Sequence, residues 1–315
     1  MFSTRKAVTG GFFECAFIIQ GFAACMTLDI LTYDPGIVCD SAREYARHVT
    51  KRVLDSWDEG ADLVLLPEFL WMGLEPHTPD EPEGSALERV AWLFREDLLP
   101  WLRAALARPG KAVVLGTCPC AVEGGIRNRA VIFHDGKETH QDKLHLTPWE
   151  KEFTPGGSVR LWEFGGLLVA VIICLDIEIP ELAARLRGLG VDLILCPSAT
   201  ETILGVERVD RCASARAVEL GCFVAVAHLT GRARSDLIDE NVGRAAFYQP
   251  SQHVFRHTPR WIEGPVHDSG CHALRVTVDK EALKKMRRMR AETNPSLLGK
   301  DLAGLSRDIP VECAR

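Results

Sequence analysis

Leu167-Leu168-Val169-Ala170-Val171-Ile172-Ile173-Cys174 is an unbroken apolar run that ends on a cysteine. Continuous rather than alternating hydrophobicity marks a strand covered on both faces. Pro180 follows, and its ring suits the first turn of a helix, where a missing N–H costs nothing. Asp192–Leu195 then reads as a second short apolar strand. Strand, helix and strand in this order form the unit of a layered α/β protein with helices on both faces of its sheets.

The same alternation extends in both directions. Upstream, Thr27–Tyr33 reads as a first strand, closed by the turn Asp34-Pro35-Gly36. Ser41-Ala42-Arg43-Glu44 has the form of a capping box, in which Ser and Glu each satisfy an orphan amide at a helix start. Tyr45, Val49, Val53 and Trp57 recur at near-helical spacing, Gly60 stops that helix, and Ala61–Leu66 is a buried strand. Leu87–Ala107 reads as one helix and Ala112–Thr117 as a strand. Ala130–Phe133 pairs with the next strand across Asp135-Gly136, a hairpin turn signal. Downstream come a helix over Cys212–Leu220, a strand over Phe223–Ala227, strands near Ala245–Tyr248 and His272–Val278, and a last helix from about Lys280. No internal repeat or low-complexity linker divides the chain. One domain over residues 26–294 is the simplest organisation, with 295–315 as a tail lacking periodicity.

Composition narrows the class. The 315 residues are 47% hydrophobic and 25% charged, the balance of a soluble globular protein. A formal net charge of −6 leaves no basic footprint, so nucleic acid is not an expected partner. The cationic run from Lys284 to Arg290 reads as a solvated helix face. No apolar run reaches the roughly 18 residues of a membrane span. Arg5 and Lys6 precede an apolar stretch from Phe12 to Cys25, and Phe22-Ala23-Ala24-Cys25 faintly resembles a lipoprotein cleavage box. Glu14 and Gln20 interrupt that stretch. Residues 1–25 are read as an extension outside the fold, with Met26 as an alternative start.

Eleven cysteines, an odd number scattered through apolar segments, argue for a reducing compartment and a cytoplasmic location. Cys118 and Cys120 with His134 and His140 fit no usual zinc spacing, and no metal is expected. Dinucleotide and P-loop glycine fingerprints, His-Glu-x-x-His and Gly-x-Ser-x-Gly are all absent.

Three chemically capable residues stand at strand ends, where α/β folds build ligand sites. Glu68 ends Ala61-Asp62-Leu63-Val64-Leu65-Leu66-Pro67-Glu68, Lys143 lies in Asp142-Lys143-Leu144-His145-Leu146, and Cys174 closes the run quoted first. Singly, each has an ordinary structural explanation. Together, Leu65-Leu66-Pro67-Glu68, Lys143-x-His145-Leu146 and Ile173-Cys174-Leu175-Asp176 with Pro180-Glu181 resemble the ordered signature blocks of the nitrilase (carbon–nitrogen hydrolase) superfamily. Ala215-Arg216-Ala217-Val218-Glu219 is similar to the helix that follows the nucleophile there. The resemblance runs from about Met26 to Arg290.

The resemblance implies a four-layer αββα sandwich that pairs into a homodimer, and a reaction without cofactors. It implies Cys174 as nucleophile, Glu68 as base and Lys143 as a cation that holds the oxyanion with the backbone N–H of Leu175. The flanking cation leads to an expectation of a lowered thiol pKa. A second glutamate belongs between the lysine and cysteine blocks. Glu150, in Trp149-Glu150-Lys151-Glu152-Phe153-Thr154-Pro155-Gly156, matches it best, with Glu152 as competitor. Ser198 and Thr200 occupy a loop where relatives line the substrate pocket, although a hydroxyl-capped turn explains them equally well.

Departures refine this reading. Leu175-Asp176 stands where nitrile-hydrolysing relatives carry Trp-Glu, and Glu178 where many members carry Arg. Both imply an amidase- or carbamoylase-like member of a poorly characterised bacterial branch. Its substrate would be a small-molecule carboxamide or N-carbamoyl compound. The alternatives are an amide-dependent acyltransferase and a non-catalytic binding protein of the same fold.

Overall fold

The computed structural model describes residues 25–79, 83–235 and 237–289. The expected N-terminal extension, except Cys25, and the expected tail lie outside the described residues.

The first half of the chain builds one sheet and the second half another. β1 (Cys25–Leu31), β2 (Leu63–Leu66) and β3 (Ala112–Val122) are parallel, and β4 (Gly125–His134) and β5 (Lys137–Asp142) add antiparallel hairpins. In the second sheet β6 (Leu161–Phe164) is antiparallel to β7 (Leu167–Val171), which runs parallel to β8 (Leu193–Ser198) and β9 (Phe223–His228). A small ribbon of β10 (Gly231–Arg232) and β11 (Glu240–Asn241) precedes β12 (Ala245–Tyr248) and β13 (Trp261–Glu263) at that sheet's edge. β14 (Ala273–Asp279) then returns to pair antiparallel with β1, closing the first sheet in the order β14-β1-β2-β3-β4-β5.

Side-chain alternation divides the core. On β2, Leu63 and Leu65 face the second sheet, packing in one cluster with Val169, Leu193 and Val224. Val64 and Leu66 face the other way, into a cluster with Tyr45, Val49 and Val53 of helix α1 (Ala42–Asp58). α2 (Ala86–Leu93) and α3 (Leu99–Leu106) contribute to that same outer layer. Beyond the second sheet lie α4 (Pro180–Leu186) and α5 (Ile203–Leu220), whose Leu182, Val209 and Ala213 pack on it. The result is the αββα order of the sequence reading. α6 (Lys280–Met289) ends the described chain with Leu283 and Met286 buried and Lys284, Lys285 and Arg288 outward, while Arg287, in the run read as a solvated face, turns inward to Asp192 and the Val191 carbonyl.

Some boundaries differ, for physical reasons. The stretch read as one helix over Leu87–Ala107 contains a π turn at Phe94–Leu98, where the Leu99 N–H bonds the Phe94 carbonyl. Pro100 at the start of α3 lacks a helical N–H and crowds the preceding turn, so the chain widens there. The box at Ser41 is half formed. Ser41 Oγ accepts the Glu44 N–H at 3.2 Å, but the Glu44 carboxylate takes the N–H of Asp40 instead of Ser41. A complete box sits at Ser85 and Glu88. α5 begins nine residues before the predicted start, capped by the Thr202 hydroxyl.

Candidate active site

The strand ends converge at the mouth between the two sheets. Glu68 follows β2, Lys143 follows β5, and Cys174 lies three residues past β7 in a tight turn over Cys174–Glu178. All three are buried, yet line one cavity of about 260 Å³.

Backbone geometry aims them. Among the described residues, Phe69 and Cys174 are two of the three non-glycine positions with positive φ, at 55° and 47°. Such left-handed conformations cost free energy and persist where neighbours over-determine them. The Phe69 N–H is fixed by Thr117 Oγ1 at 2.8 Å, and the following turn by the Tyr45 hydroxyl and the Trp71 indole N–H. Gly116 makes this approach feasible, since a Cβ there would lie 2.1 Å from the Pro67 carbonyl oxygen. At Cys174, the first hydrogen bond of the turn runs from the Asp176 N–H to the Ile173 carbonyl. The preceding N–H, that of Leu175, is one of the orphan donors of a helix start.

Lys143 sits between two carboxylates. Its Nζ is 2.8 Å from Glu68 Oε1 and 2.8 Å from Glu150 Oε2. Asn128 donates through one Nδ2 to both acids, at 2.9 Å to Glu68 and 3.1 Å to Glu150. Glu150 also accepts the N–H and hydroxyl of Thr147, whereas Glu152 is exposed and takes no part. Of the two glutamates considered from the sequence, only Glu150 reaches the lysine. Asn128 and Thr147 were not anticipated. Asn128 belongs to the alternating buried face of β4 with Ile126 and Ala130, and that period of two was the signal for it.

The thiol has its own partners. Ser198 Oγ donates to Cys174 Sγ at 3.3 Å, and the thiol faces the Ala199 carbonyl at 3.6 Å. Ser198 is fully buried as the last residue of β8, and Thr200, just beyond, lines the cavity. Asp176 accepts backbone N–H groups of the lysine loop, and buried Arg216 of α5 donates to the carbonyls of Ile177 and Glu178.

Electrostatics correct one expectation. Burial, then the negative charge of Glu68, pushes the Cys174 thiol up to about 12, and Lys143 offsets this only in part. The resting group is a thiol. Burial likewise raises Glu68 to about 7 against the opposing pull of Lys143, and Oε2 of that carboxylate is buried with no hydrogen-bond partner. Burial alone would lower the Lys143 pKa, but Glu68, Cys174 and Glu150 raise it above the usual lysine value, so it stays an ammonium.

Among the described residues no group of three or more His, Cys, Asp or Glu could hold a metal, and the nine cysteines are free. No described helix is long and apolar enough to cross a membrane.

The carbon-nitrogen hydrolase family model matches residues 23–288, which include every group described above. The chain belongs to the carbon–nitrogen hydrolase family. "Probable hydrolase YhcX" of Bacillus subtilis is 27% identical over 255 residues, covering 79% of this chain and 48% of that protein. The chain spans about half the length of the curated relatives it matches. Among solved structures, the carbon-nitrogen hydrolase from Helicobacter pylori G27 superimposes with a TM-score of 0.67 at 18% identity, covering 90% of this chain and 99% of that one. An amidase from Nesterenkonia sp. gives 0.59 at 20% identity, with coverages of 87% and 97%. At such identities the likeness is one of fold, and this family's αββα fold is the one found here.

Proposed function

We propose that this chain hydrolyses a small carboxamide or N-carbamoyl compound through a thioester on Cys174. One observation carries the reading: a buried thiol, a carboxyl poised near neutrality and a permanent ammonium meet at a single cavity.

In the proposed sequence Glu68 takes the thiol proton as Sγ attacks the carbonyl carbon. The oxyanion is received by the Lys143 ammonium and the Leu175 N–H. Glu68 then delivers its proton to the departing nitrogen, and ammonia or an amine leaves. Water, deprotonated by Glu68, attacks the thioester carbon. The C–S bond breaks, the acid leaves, and the thiol regains a proton. Glu150 and Asn128 hold Lys143 and Glu68 in register throughout. A solved mutant of the Nesterenkonia sp. amidase carries the acetamide moiety of fluoroacetamide at its active-site cysteine, which supports a covalent route by analogy.

Amides are favoured over nitriles because an amide already has the oxygen these donors are placed to receive. For matched pairs sharing one side chain, ammonia release from the amide should exceed that from the nitrile by at least about tenfold, roughly 1.4 kcal/mol. Equal or faster nitrile hydrolysis would defeat the amidase reading and leave the family assignment standing. We also propose pairing through the outer helices, where Leu204 and Val218 of α5 are exposed apolar residues. A purely monomeric species in equilibrium sedimentation would refute it.

A further inference from the structure

Behind the cavity wall lies a chain of polar groups, buried at Thr200, His228 and Asp210, that the proposed reaction does not use. Thr200 faces the cavity, and its hydroxyl donates to the Val242 carbonyl at 3.0 Å, with His228 Nδ1 at 3.3 Å. His228 is fully buried at the end of β9, directly opposite Ser198 in the register of the sheet. Its Nε2 is 3.2 Å from Asp210 Oδ1, and Arg244 Nε bonds Asp210 Oδ2 at 2.8 Å. Arg244 continues to Glu263 at 3.0 Å, and Glu263 accepts the Tyr248 hydroxyl at 2.9 Å.

Proton counting fixes the roles. A carbonyl oxygen only accepts, so the single Thr200 proton is committed to Val242. An ionised carboxylate also only accepts. Burial alone would raise Asp210, but its bonds to His228 and Arg244 and their charges reverse this and hold it below its usual value. His228 Nε2 lies against the Asp210 carboxylate and Nδ1 against the Thr200 hydroxyl oxygen, so the ring bridges the two. Thr200 in turn has no proton left to offer a substrate.

The consequence falls on the thiol. Ser198 and the Ala199 carbonyl are its two partners, and they lie next to Thr200 in the chain. Ser198 is tied on one side by the Leu229 N–H to its carbonyl, and Thr200 on the other by Val242 and His228. Resting on Cys174 as nucleophile, we infer that His228 and Asp210 are positioning residues: the ring clamps Thr200, and so fixes the segment that orients the thiol for attack.

Thr200→Val keeps the shape and removes the hydroxyl, while Thr200→Ser keeps the hydroxyl. Thr200→Val should lower kcat about tenfold or more with KM little changed, because a small misplacement of a reacting group costs this much. It should also slow iodoacetamide modification of Cys174, followed by peptide mass spectrometry. Thr200→Ser should restore both. His228→Gln should reproduce the loss, and the double variant should be no worse than either single one, since both cut the same link. Wild-type kcat and alkylation in Thr200→Val, or additive losses, would overturn the inference. If Cys174→Ala keeps turnover, the nucleophile and this inference fall together. If Cys174→Ala is inert and Thr200→Val is normal, this inference alone falls.

Discussion

The Asp176 carboxylate accepts the backbone N–H of His145 at 2.8 Å, so a residue two places past the thiol holds a residue two places past the lysine. Its other oxygen accepts the Leu144 N–H at 3.0 Å, and the His145 ring adds a contact at 2.8 Å. The two halves of the chain, and the two sheets they form, are locked together at the point where Lys143 and Cys174 must stay in register.

Asp176→Asn places an N–H₂ against at least one of these donors. Leaving a buried donor unpaired costs about 1–3 kcal/mol, so the variant should melt lower. Turnover should fall at temperatures where it is still folded. Normal turnover with a lowered melting temperature would make Asp176 a stability residue only.

Cys174→Ala should abolish turnover of any verified substrate while the circular dichroism spectrum is unchanged. Glu68→Gln and Lys143→Met should each lose a factor of about 10² or more, as positioned bases and oxyanion donors do. Near-normal rates in any of the three would remove that residue from the mechanism.

The pH profile follows from Glu68. A base works only when deprotonated, and burial raises this one to about 7. Below that value it holds its proton and cannot accept another, so kcat/KM should fall as pH is lowered and climb through about 7 toward a plateau. The thiol, at about 12, adds no limb in the neutral range. A rate flat from about pH 5 to 8 would contradict Glu68 as base.

Charge at the cavity should select substrates. Its lining carries Glu68, Glu150, Glu178, Glu201 and Asp239 against Lys143 and Arg208, with Arg208 engaged by Glu178 at 2.8 Å. A neutral amide should therefore have a higher kcat/KM than the same amide bearing a carboxylate, by about fivefold or more at low salt. The gap should narrow at high ionic strength, because exposed charges are screened. Preference for the anionic member of the pair would show that Arg208 dominates the entrance.

The sequence was most legible where chemistry and strand ends coincide. Glu68 and Cys174 each follow a strand whose apolar pattern is plain, Lys143 follows the polar β5 and was marked only by its flanking residues, and the structure brings the three together. Asn128 was harder to see, because Arg127 and Arg129 on either side make its segment look solvated. The charged second and third turns of α5, with Glu207, Arg208, Asp210 and Arg211, hid the start of that helix until its apolar stripe resumed at Ala213. His228 follows a purely apolar strand, and nothing local shows that Asp210, 18 residues earlier, meets its ring. Contacts between elements leave no trace in periodicity. The thiol pKa was misjudged for a related reason: the adjacent lysine was visible in the chain, but the depth of burial that outweighs it was not.

With Glu68 ionised, above pH about 7, Lys143 enclosed by Glu68 and Glu150 makes a buried group of two negative charges and one positive. In the proposed reaction, transfer of the thiol proton to Glu68 would leave that carboxyl neutral and pass the negative charge to sulfur, then to the substrate oxygen. The interior total stays constant from resting enzyme to tetrahedral adduct. Only its location changes, by a few ångströms and always beside the same ammonium. Creating a new charge in such a dry place would cost far more than relocating one that folding has already accommodated. On that proposed route the enclosed lysine would act as a fixed counter-ion along the whole reaction coordinate, and little surrounding dipole reorientation would be left for the chemical step.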